Sequence, residues 1–274
     1  MVLDADEWLV AGADQLGELR STIPDFVGLV AVESETDAGA VGVSWQGRLL
    51  PSAVRYAGRI HEQPVHDLAQ GRVDVHIAHD GYLAAQQERK QDRNRRLLLL
   101  AVAEDRENAY LRYQLGRDHE VAGRWPEAAV REYAAAYSLT APTGGDPHGW
   151  QHALVTRYVW SLAECGRTQE AVDLAEVELP HWDHSADFWF GLGSVLLRHA
   201  LAHPEAATGL LPKIEFWWLR CLELGDSPLP GSVVGRGSHL AAQNLVVFYE
   251  SQGRGADADL SRPAALPPTP RALR

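Results

Sequence analysis

The sequence is poor in the features that build covalent or membrane scaffolds. It has two cysteines, Cys165 and Cys221, which stand far apart and outside any Cys-x-x-Cys or Cys/His cluster. Its longest apolar run, Leu97–Ala103, is much shorter than the roughly 20 residues that a membrane-spanning helix needs. These shortages argue against a disulfide scaffold, a structural zinc site and a spanning helix. Both cysteines are predicted to be small buried hydrophobic residues.

Positive charge is also in short supply. Lys and Arg number 25 against 37 Asp and Glu, so the formal net charge is -12. A field of this sign repels nucleic acid phosphates and anionic lipids, and no local basic patch overrides it. The chain starts with the acidic stretch Met1–Glu7, whereas a secretion signal has basic residues followed by an apolar stretch. The sequence therefore predicts a cytoplasmic protein that binds no nucleic acid.

A hexad, Gly-Arg-x-x-acid-Ala, occurs three times in a region of helical pattern. The glycine suits the end of a helix, where it takes a left-handed conformation, and the small alanine lets the next helix pack closely against the first. Each copy therefore predicts the turn of a helical hairpin. The copies are Gly123–Ala128, Gly166–Ala171 and Gly253–Ala258.

The pair Leu115-Gly116, seven residues before the first hexad, completes a spacing that resembles the tetratricopeptide repeat family. Leu192-Gly193 marks a further helix of the same type, although no hexad follows it. The resemblance implies a mainly α fold, with a tetratricopeptide-like helical-repeat solenoid over residues 96–260. We expect four helical pairs, at about 107–140, 150–180, 185–224 and 238–260.

Two further features of this half leave choices open. Several of its tryptophans, including Trp160, Trp189, Trp217 and Trp218, either line a concave groove or fill the seams between stacked helices, and the second alternative is the commoner one. After the repeats, residues 261–274 contain too much proline to continue a helix and are predicted to form a disordered tail.

Residues 1–95 have a mainly β-strand pattern instead of the helical pattern of the repeats. Short β-prone runs alternate with Gly, Pro and acidic residues, and one amphipathic helix is expected near 13–23. A long helix over 83–103 is predicted to lead into the repeats. The β-prone runs are Val27–Glu33, Val41–Leu50, Val54–Ile60 and Val73–Ala78.

Three short polar signals stand in order within this first part. Asp4 and Asp6 follow an apolar stub, and two such carboxylates can hold a hard divalent cation, Mn²⁺ or Mg²⁺. His61 and Glu62 form a pair in which Glu62 could act as a general base. His79 could complete a metal shell begun by Asp6. Each signal has a plainer explanation, because acidic clusters are usually solvated loops and His-Glu pairs are usually surface ion pairs.

Taken together, these signals resemble family-2 glycosyltransferases with a GT-A fold, in the bacterial branch that has carboxy-terminal tetratricopeptide repeats and includes sublancin-type peptide glycosyltransferases. The matching segments are Leu3–Glu7, Tyr56–Glu62, His79–Tyr82, Lys90–Leu98, Cys221–Asp226 and Gly235–Ser238. The resemblance implies that residues 1–95 are a partial α/β GT-A remnant. It also implies an inverting, metal-dependent transfer from a nucleotide sugar to a peptide, protein or glycan.

The same resemblance assigns roles to individual residues. Asp6 would bind the metal, and Asp4 would contact the ribose, or the metal through water. Glu62 would be the catalytic base, and His79 would contact the metal or a phosphate. For Arg59 it implies a pyrophosphate contact. The position of His61 in the His-Glu pair, apart from the resemblance, suggests that it could orient a phosphate or the acceptor.

The chain starts inside the family pattern, because Met1-Val2-Leu3 corresponds to the end of the strand that delivers the acidic motif. That strand is expected to lie in a largely parallel sheet whose neighbours come from an absent nucleotide-binding half. We therefore expect no nucleotide-sugar binding unless that half is supplied. The alternative hypothesis is an interaction protein whose repeats bind a peptide or protein partner without any metal.

Overall fold

The computed structural model describes residues 1–20, 25–35, 41–79, 84–123, 125–140, 150–227, 229 and 231–267. A small sheet precedes a series of antiparallel helix pairs, which confirms the predicted mainly α fold. The strands are β1 Glu7–Ala11, β2 Val27–Glu35, β3 Val41–Leu49, β4 Arg55–Ala57, β5 Gln63–Val65, β6 Gln70–His79 and β7 Ser232–Val233. The helices are α1 Ala13–Arg20, α2 Ala84–Glu104, α3 Ala109–Ala122, α4 Pro126–Thr140, α5 Gln151–Glu164, α6 Thr168–Trp182, α7 Ala186–Ala202, α8 Pro204–Leu224, α9 His239–Ser251 and α10 Gly255–Ser261.

The main sheet has the strand order β1-β6-β2-β3-β7, and β4 pairs separately with β5. Within the main sheet, the pairing of β2 with β6 is parallel, whereas β1 with β6, β2 with β3 and β3 with β7 are antiparallel. The expectation of a largely parallel sheet is therefore wrong. The core of this part consists of alternate residues that point to one face, as is usual for a half-buried sheet. They are Val30, Val32, Val73, Val75 and Ile77.

The expected strand ending at Leu3 is also absent. Residues 1–4 lie outside any strand, and β1 starts at Glu7, after Asp4 and Asp6 instead of before them. The Val2 N–H nevertheless donates a hydrogen bond of 2.9 Å to the Arg48 carbonyl in β3. The acidic motif thus forms a turn that leads into an edge strand, which differs from the strand-end position that the glycosyltransferase resemblance implies.

The four predicted helical pairs are present as α3 with α4, α5 with α6, α7 with α8 and α9 with α10. The hexad glycines Gly123, Gly166 and Gly253 have φ angles of 64°, 74° and 71°. This left-handed conformation is the predicted one. After Gly166, the Arg167 N–H donates to the Leu162 carbonyl at 2.9 Å, and this hydrogen bond forms the Schellman cap that ends α5. The hexad alanines are in the second helix of each pair, and they are buried because this helix packs against the first one. They are Ala128, Ala171 and Ala258.

The glycine of each Leu-Gly pair lies directly against an aromatic ring of the second helix of its pair. A Cβ atom on Gly116 would lie 2.6 Å from the Tyr133 ring, and one on Gly193 would lie 2.5 Å from Trp218 Nε1. Trp218 and Trp189 are 1% and 8% exposed, so they fill helix seams. This answers the question left open for these two tryptophans in favour of packing.

A segment after α8, Gly231–Ser238, connects the repeats to the sheet, and we call it the strap. Its β7 pairs with Gly42 and Val43 of β3, and the Gly231 N–H donates to the Val43 carbonyl at 3.0 Å. The Asp226 carboxylate holds the other end, because it accepts hydrogen bonds from Gly235 N–H, Gly237 N–H and the Ser238 hydroxyl. The strap fixes one end of the sheet against the helices.

Order extends further toward the carboxyl end than the sequence indicates. A 3-10 turn over Arg262–Ala265 follows α10, and the Gln243 side chain donates to the Ala265 carbonyl at 2.9 Å. Arg262 also forms an ion pair with Glu250 of α9. The start of the predicted tail therefore packs against the last pair, while residues 268–274 lie outside the described part.

Candidate functional site

The carboxylates of the acidic motif are bound by an arginine that the sequence analysis did not single out. Arg48 Nη2 lies 2.8 Å from Asp4 Oδ2 and 2.5 Å from Glu7 Oε1. The side chains of Arg48 and Glu7 are 10% and 2% exposed, so this is a buried ion pair. Removing one partner of such a pair leaves an uncompensated charge. Asp4 and Glu7 thus have a structural partner, which accounts for both residues without a metal ion.

Asp6 and His79 are brought together, as the sequence predicts. The pairing of Glu7 with His79 between β1 and β6 places them side by side, and His79 Nε2 lies 3.5 Å from Asp6 Oδ2. The Ser34 hydroxyl lies 3.5 Å from His79 Nδ1. Within the ranges that the structure describes, which omit residues 80–83, no three His, Cys, Asp or Glu side chains form a metal-binding group. The metal roles of Asp6 and His79 stay predictions.

Arg59, His61 and Glu62 lie on another element, the turn between β4 and β5, whose contacts run to α2 and α3. Arg59 forms a bidentate ion pair with Glu104 of α2, in which Nε lies 2.9 Å from Oε2 and Nη2 lies 2.6 Å from Oε1. The Gln63 side chain next to Glu62 donates to the Tyr110 hydroxyl of α3 at 2.9 Å. The pyrophosphate, phosphate and base roles predicted for these residues are untested. An exposed surface ion pair already accounts for Arg59.

His61 has an unusual backbone conformation for its type, with φ at 52°. Burial of the imidazole among protein atoms lowers the pKa of His61, and the positive charge of Arg117 in α3 lowers it further. Because the residue as a whole stays exposed, solvent limits this effect. A neutral imidazole suits the position beside Arg117, and the left-handed φ suits the tight turn.

A second candidate site lies on the repeats, where the first helices of successive pairs contact each other. Arg157 of α5 pairs with Glu120 of α3 at 2.7 Å, and Arg198 of α7 pairs with Glu164 of α5 at 2.5 Å. We call the face formed by α3, α5 and α7 the first-helix surface. In stacked helical repeats, equivalent helices line a continuous surface that is used for binding.

The end of this surface that is formed by the last turns of α5 and α7 combines an aromatic ring with a cation. The Arg198 guanidinium carbon lies 5.2 Å from the centroid of the Trp160 ring, a cation–π arrangement. The Arg198 side chain is 48% exposed, and Leu201, one turn further along α7, is 74% exposed. Trp160 is recognisable from the sequence as a possible groove residue, whereas Arg198 is not. An Arg 38 positions away carries no local signal of such a contact.

The strap covers the opposite end of the first-helix surface. Asp187, in the first turn of α7, is 1% exposed. Its Oδ1 accepts hydrogen bonds from the Val233 N–H at 2.9 Å and from Arg236 Nη1 at 3.0 Å. The Arg236 guanidinium lies over the Phe190 ring at 5.3 Å. The first turns of α7 are thus occupied by the chain itself, and Trp160 and Arg198 lie beyond the occupied part.

Comparison with known proteins gives a limited result. No family model matches the chain, and no curated protein matches it. The solved structures that it is similar to include "Crystal structure of MamA" (16% identity, 67% of this chain, 92% of that chain, TM-score 0.48) and "MamA 41-end from Desulfovibrio magneticus RS-1" (13%, 66%, 88%, 0.48). A third is "Crystal structure of YrrB: a TPR protein with an unusual peptide-binding site" (15%, 65%, 78%, 0.45). Among the described helices, none is long and apolar enough to cross a membrane.

Proposed function

We propose that this chain is a helical-repeat module that binds a peptide segment of a partner protein on the first-helix surface. The observation that supports the proposal best is the pair Trp160 and Arg198. Both are residue types that dominate binding energies at protein interfaces, and they stand together where α5 and α7 meet, with Trp160 half-buried. No catalytic chemistry is needed for this function.

The chemistry of the surface suggests what the peptide offers. An apolar side chain would pack on the Trp160 ring beside the exposed Leu201. Arg198 has five N–H donors and uses one nitrogen toward Glu164, so it has the capacity to bind a peptide carboxylate or carbonyl as well. The preferred segment therefore places an apolar residue next to an acceptor group.

The test starts from peptides displayed on phage and selected against the full chain. Enriched peptides are measured by fluorescence anisotropy against the wild type and against Arg198→Ala, which should weaken binding by about 2 kcal/mol if Arg198 is a hot spot. The matched control is Arg220→Ala. Arg220 is also a helical Arg paired with a Glu, at 2.9 Å, but it belongs to α8, the second helix of its pair.

Two results of this experiment would contradict the proposed function. Peptides that bind wild type, Arg198→Ala and Arg220→Ala alike do not use the first-helix surface. Failure to enrich any peptide would also count against the proposal, provided that thermal melts show the immobilised protein to be folded.

A second candidate, the metal-dependent glycosyltransferase, is supported by one observation, the contact of Asp6 with His79. The arrangement of the acidic motif weakens this candidate, because Arg48 binds Asp4 and Glu7. We rank it below the interaction module.

A further inference from the structure

We propose that His199 and His203, at the end of α7, form a surface site for a divalent transition metal ion such as Zn²⁺. The two residues stand four positions apart, the spacing that puts side chains on one face of a helix. Their ring centroids are 4.5 Å apart, and His203 is exposed. Two imidazoles this close can direct one nitrogen each at a common ion, since a Zn–N bond is about 2.0–2.1 Å long.

The backbone holds the pair in this arrangement. The His203 N–H donates to the His199 carbonyl at 2.9 Å, so the last turn of α7 is closed up to His203. Pro204 follows and is the first residue of α8, where its ring fixes φ. The backbone at both histidines is therefore fixed before any ion binds, so only the two side chains remain to be ordered.

A carboxylate next to the pair strengthens the argument. Glu205 Oε1 lies 3.4 Å from His203 Nδ1. Histidines that bind metals commonly direct one ring nitrogen to a carboxylate, and this selects the tautomer whose other nitrogen is free to bind the ion. With Nδ1 facing Glu205, His203 would present Nε2 to the metal. The net charge of -12 also favours cation binding.

The ligand set decides which metals are candidates. Imidazole suits Zn²⁺, Cu²⁺ and Ni²⁺, whereas Mg²⁺ and Ca²⁺ prefer oxygen ligands. Two protein ligands are fewer than the three of a catalytic zinc site, so water would complete the shell and the ion would exchange readily. This inference is independent of the proposed peptide binding and of the Asp6–His79 contact.

The experiment is isothermal titration calorimetry of the full chain with ZnCl₂, and with MgCl₂ as the comparison cation. We expect one saturable Zn²⁺ site per chain and no heat of binding for Mg²⁺. His199→Asn and His203→Asn should each lower the Zn²⁺ affinity at least about tenfold, the loss typical even for an outer partner of a metal-bound histidine. Glu205→Gln should cause a smaller loss of the same sign.

The matched control is His184→Asn. His184 is also exposed and has a carboxylate close to Nδ1, that of Asp183 at 3.6 Å. It has no histidine four positions away, and His181, three positions before it, lies in α6, which ends at Trp182 before His184. The control should bind Zn²⁺ like the wild type. Absence of a saturable Zn²⁺ site, or affinity that survives the double change His199→Asn with His203→Asn, would overturn the proposal. Circular dichroism of each variant verifies that the helices are intact.

Discussion

Two glycines of α7 that are two residues apart differ in the space around them, so a methyl group added at each should have opposite effects on stability. Gly193 lies against Trp218, where a Cβ atom would come within 2.5 Å of Nε1, whereas nothing lies within 4 Å of a Cβ atom on Gly191. Gly193→Ala should therefore destabilise the protein by about 1–3 kcal/mol through overpacking. Gly191→Ala should stabilise it by about 0.5–1 kcal/mol, because alanine is the better helix former.

Urea unfolding followed by circular dichroism measures both variants. The opposite signs make the pair its own control, since both changes add one methyl group to the same helix. A similar effect of the two substitutions would mean that α7 and α8 do not pack as closely as Gly193 and Trp218 indicate.

Also at the residue scale, the acidic motif shows what a short sequence pattern can reveal. Asp6 and His79 were expected to meet, and they do, because a strand pairing joins the two segments. The pattern gave no hint of Arg48, whose guanidinium binds Asp4 and Glu7. A lone Arg within a β-prone run has no spacing that indicates its partner, so this ion pair follows from the tertiary fold alone.

At the scale of single elements, helix caps with the same local geometry should differ in energetic weight. Asn108 Oδ1 accepts the Leu111 N–H at the start of α3, and Ser185 Oγ accepts the Phe188 N–H at the start of α7, both at 3.1 Å. Asn108→Ala should cost about 1 kcal/mol, the usual value for a lost cap.

Ser185→Ala should cost more, about 2 kcal/mol or above. Ser185 is fully buried, and its hydroxyl is also hydrogen bonded to Nε2 of the buried His152 at 2.7 Å. Losing a buried partner adds a desolvation penalty of about 1–3 kcal/mol to the loss of the cap. Thermal and urea unfolding of the two variants compare the costs, and equal destabilisation would argue against the buried Ser185–His152 hydrogen bond.

The elements that can be predicted from the sequence are those with a regular hydrophobic periodicity and with glycines at their ends. The helical pairs were located well, because each hexad glycine ends a helix by a conformation that other residues adopt poorly. The strands around 27–35 and 41–49 were also expected from their β-prone residues. β1 was not, although its five residues are long enough for a strand and Gly12 follows them, because the acidic motif was expected to follow a strand that ends at Leu3. Its pairing with β6 is what makes it a strand.

At the scale of the whole molecule, we expect no saturable binding of uridine diphosphate sugars in the presence of Mn²⁺. The reason is that Arg48 neutralises Asp4 and Glu7, and among the residues that the structure describes no three His, Cys, Asp or Glu side chains form a group that could hold Mn²⁺. Calorimetry of the full chain with Mn²⁺ and each donor tests this. Donor binding at micromolar affinity that Asp6→Ala abolishes would contradict it and restore the glycosyltransferase candidate.

The sequence by itself determined the helical half of this protein. The first pair has the left-handed glycine, the small alanine and the Leu-Gly pair, the second and last pairs have the hexad, and the third has only the Leu-Gly pair. These local patterns are enough to locate the hairpins. It also determined the charge, and with it the class of partner that the surface disfavours.

Only the tertiary structure decided how the two halves meet and where a binding surface lies. The sheet became mostly antiparallel, the strap joined β3 to α7 through Asp187, and Arg198 reached Trp160 of the preceding pair. Each of these contacts joins residues far apart in the chain. Long-range contacts of this kind depend on which surfaces remain to be buried once the local elements have formed, and no local pattern encodes that choice.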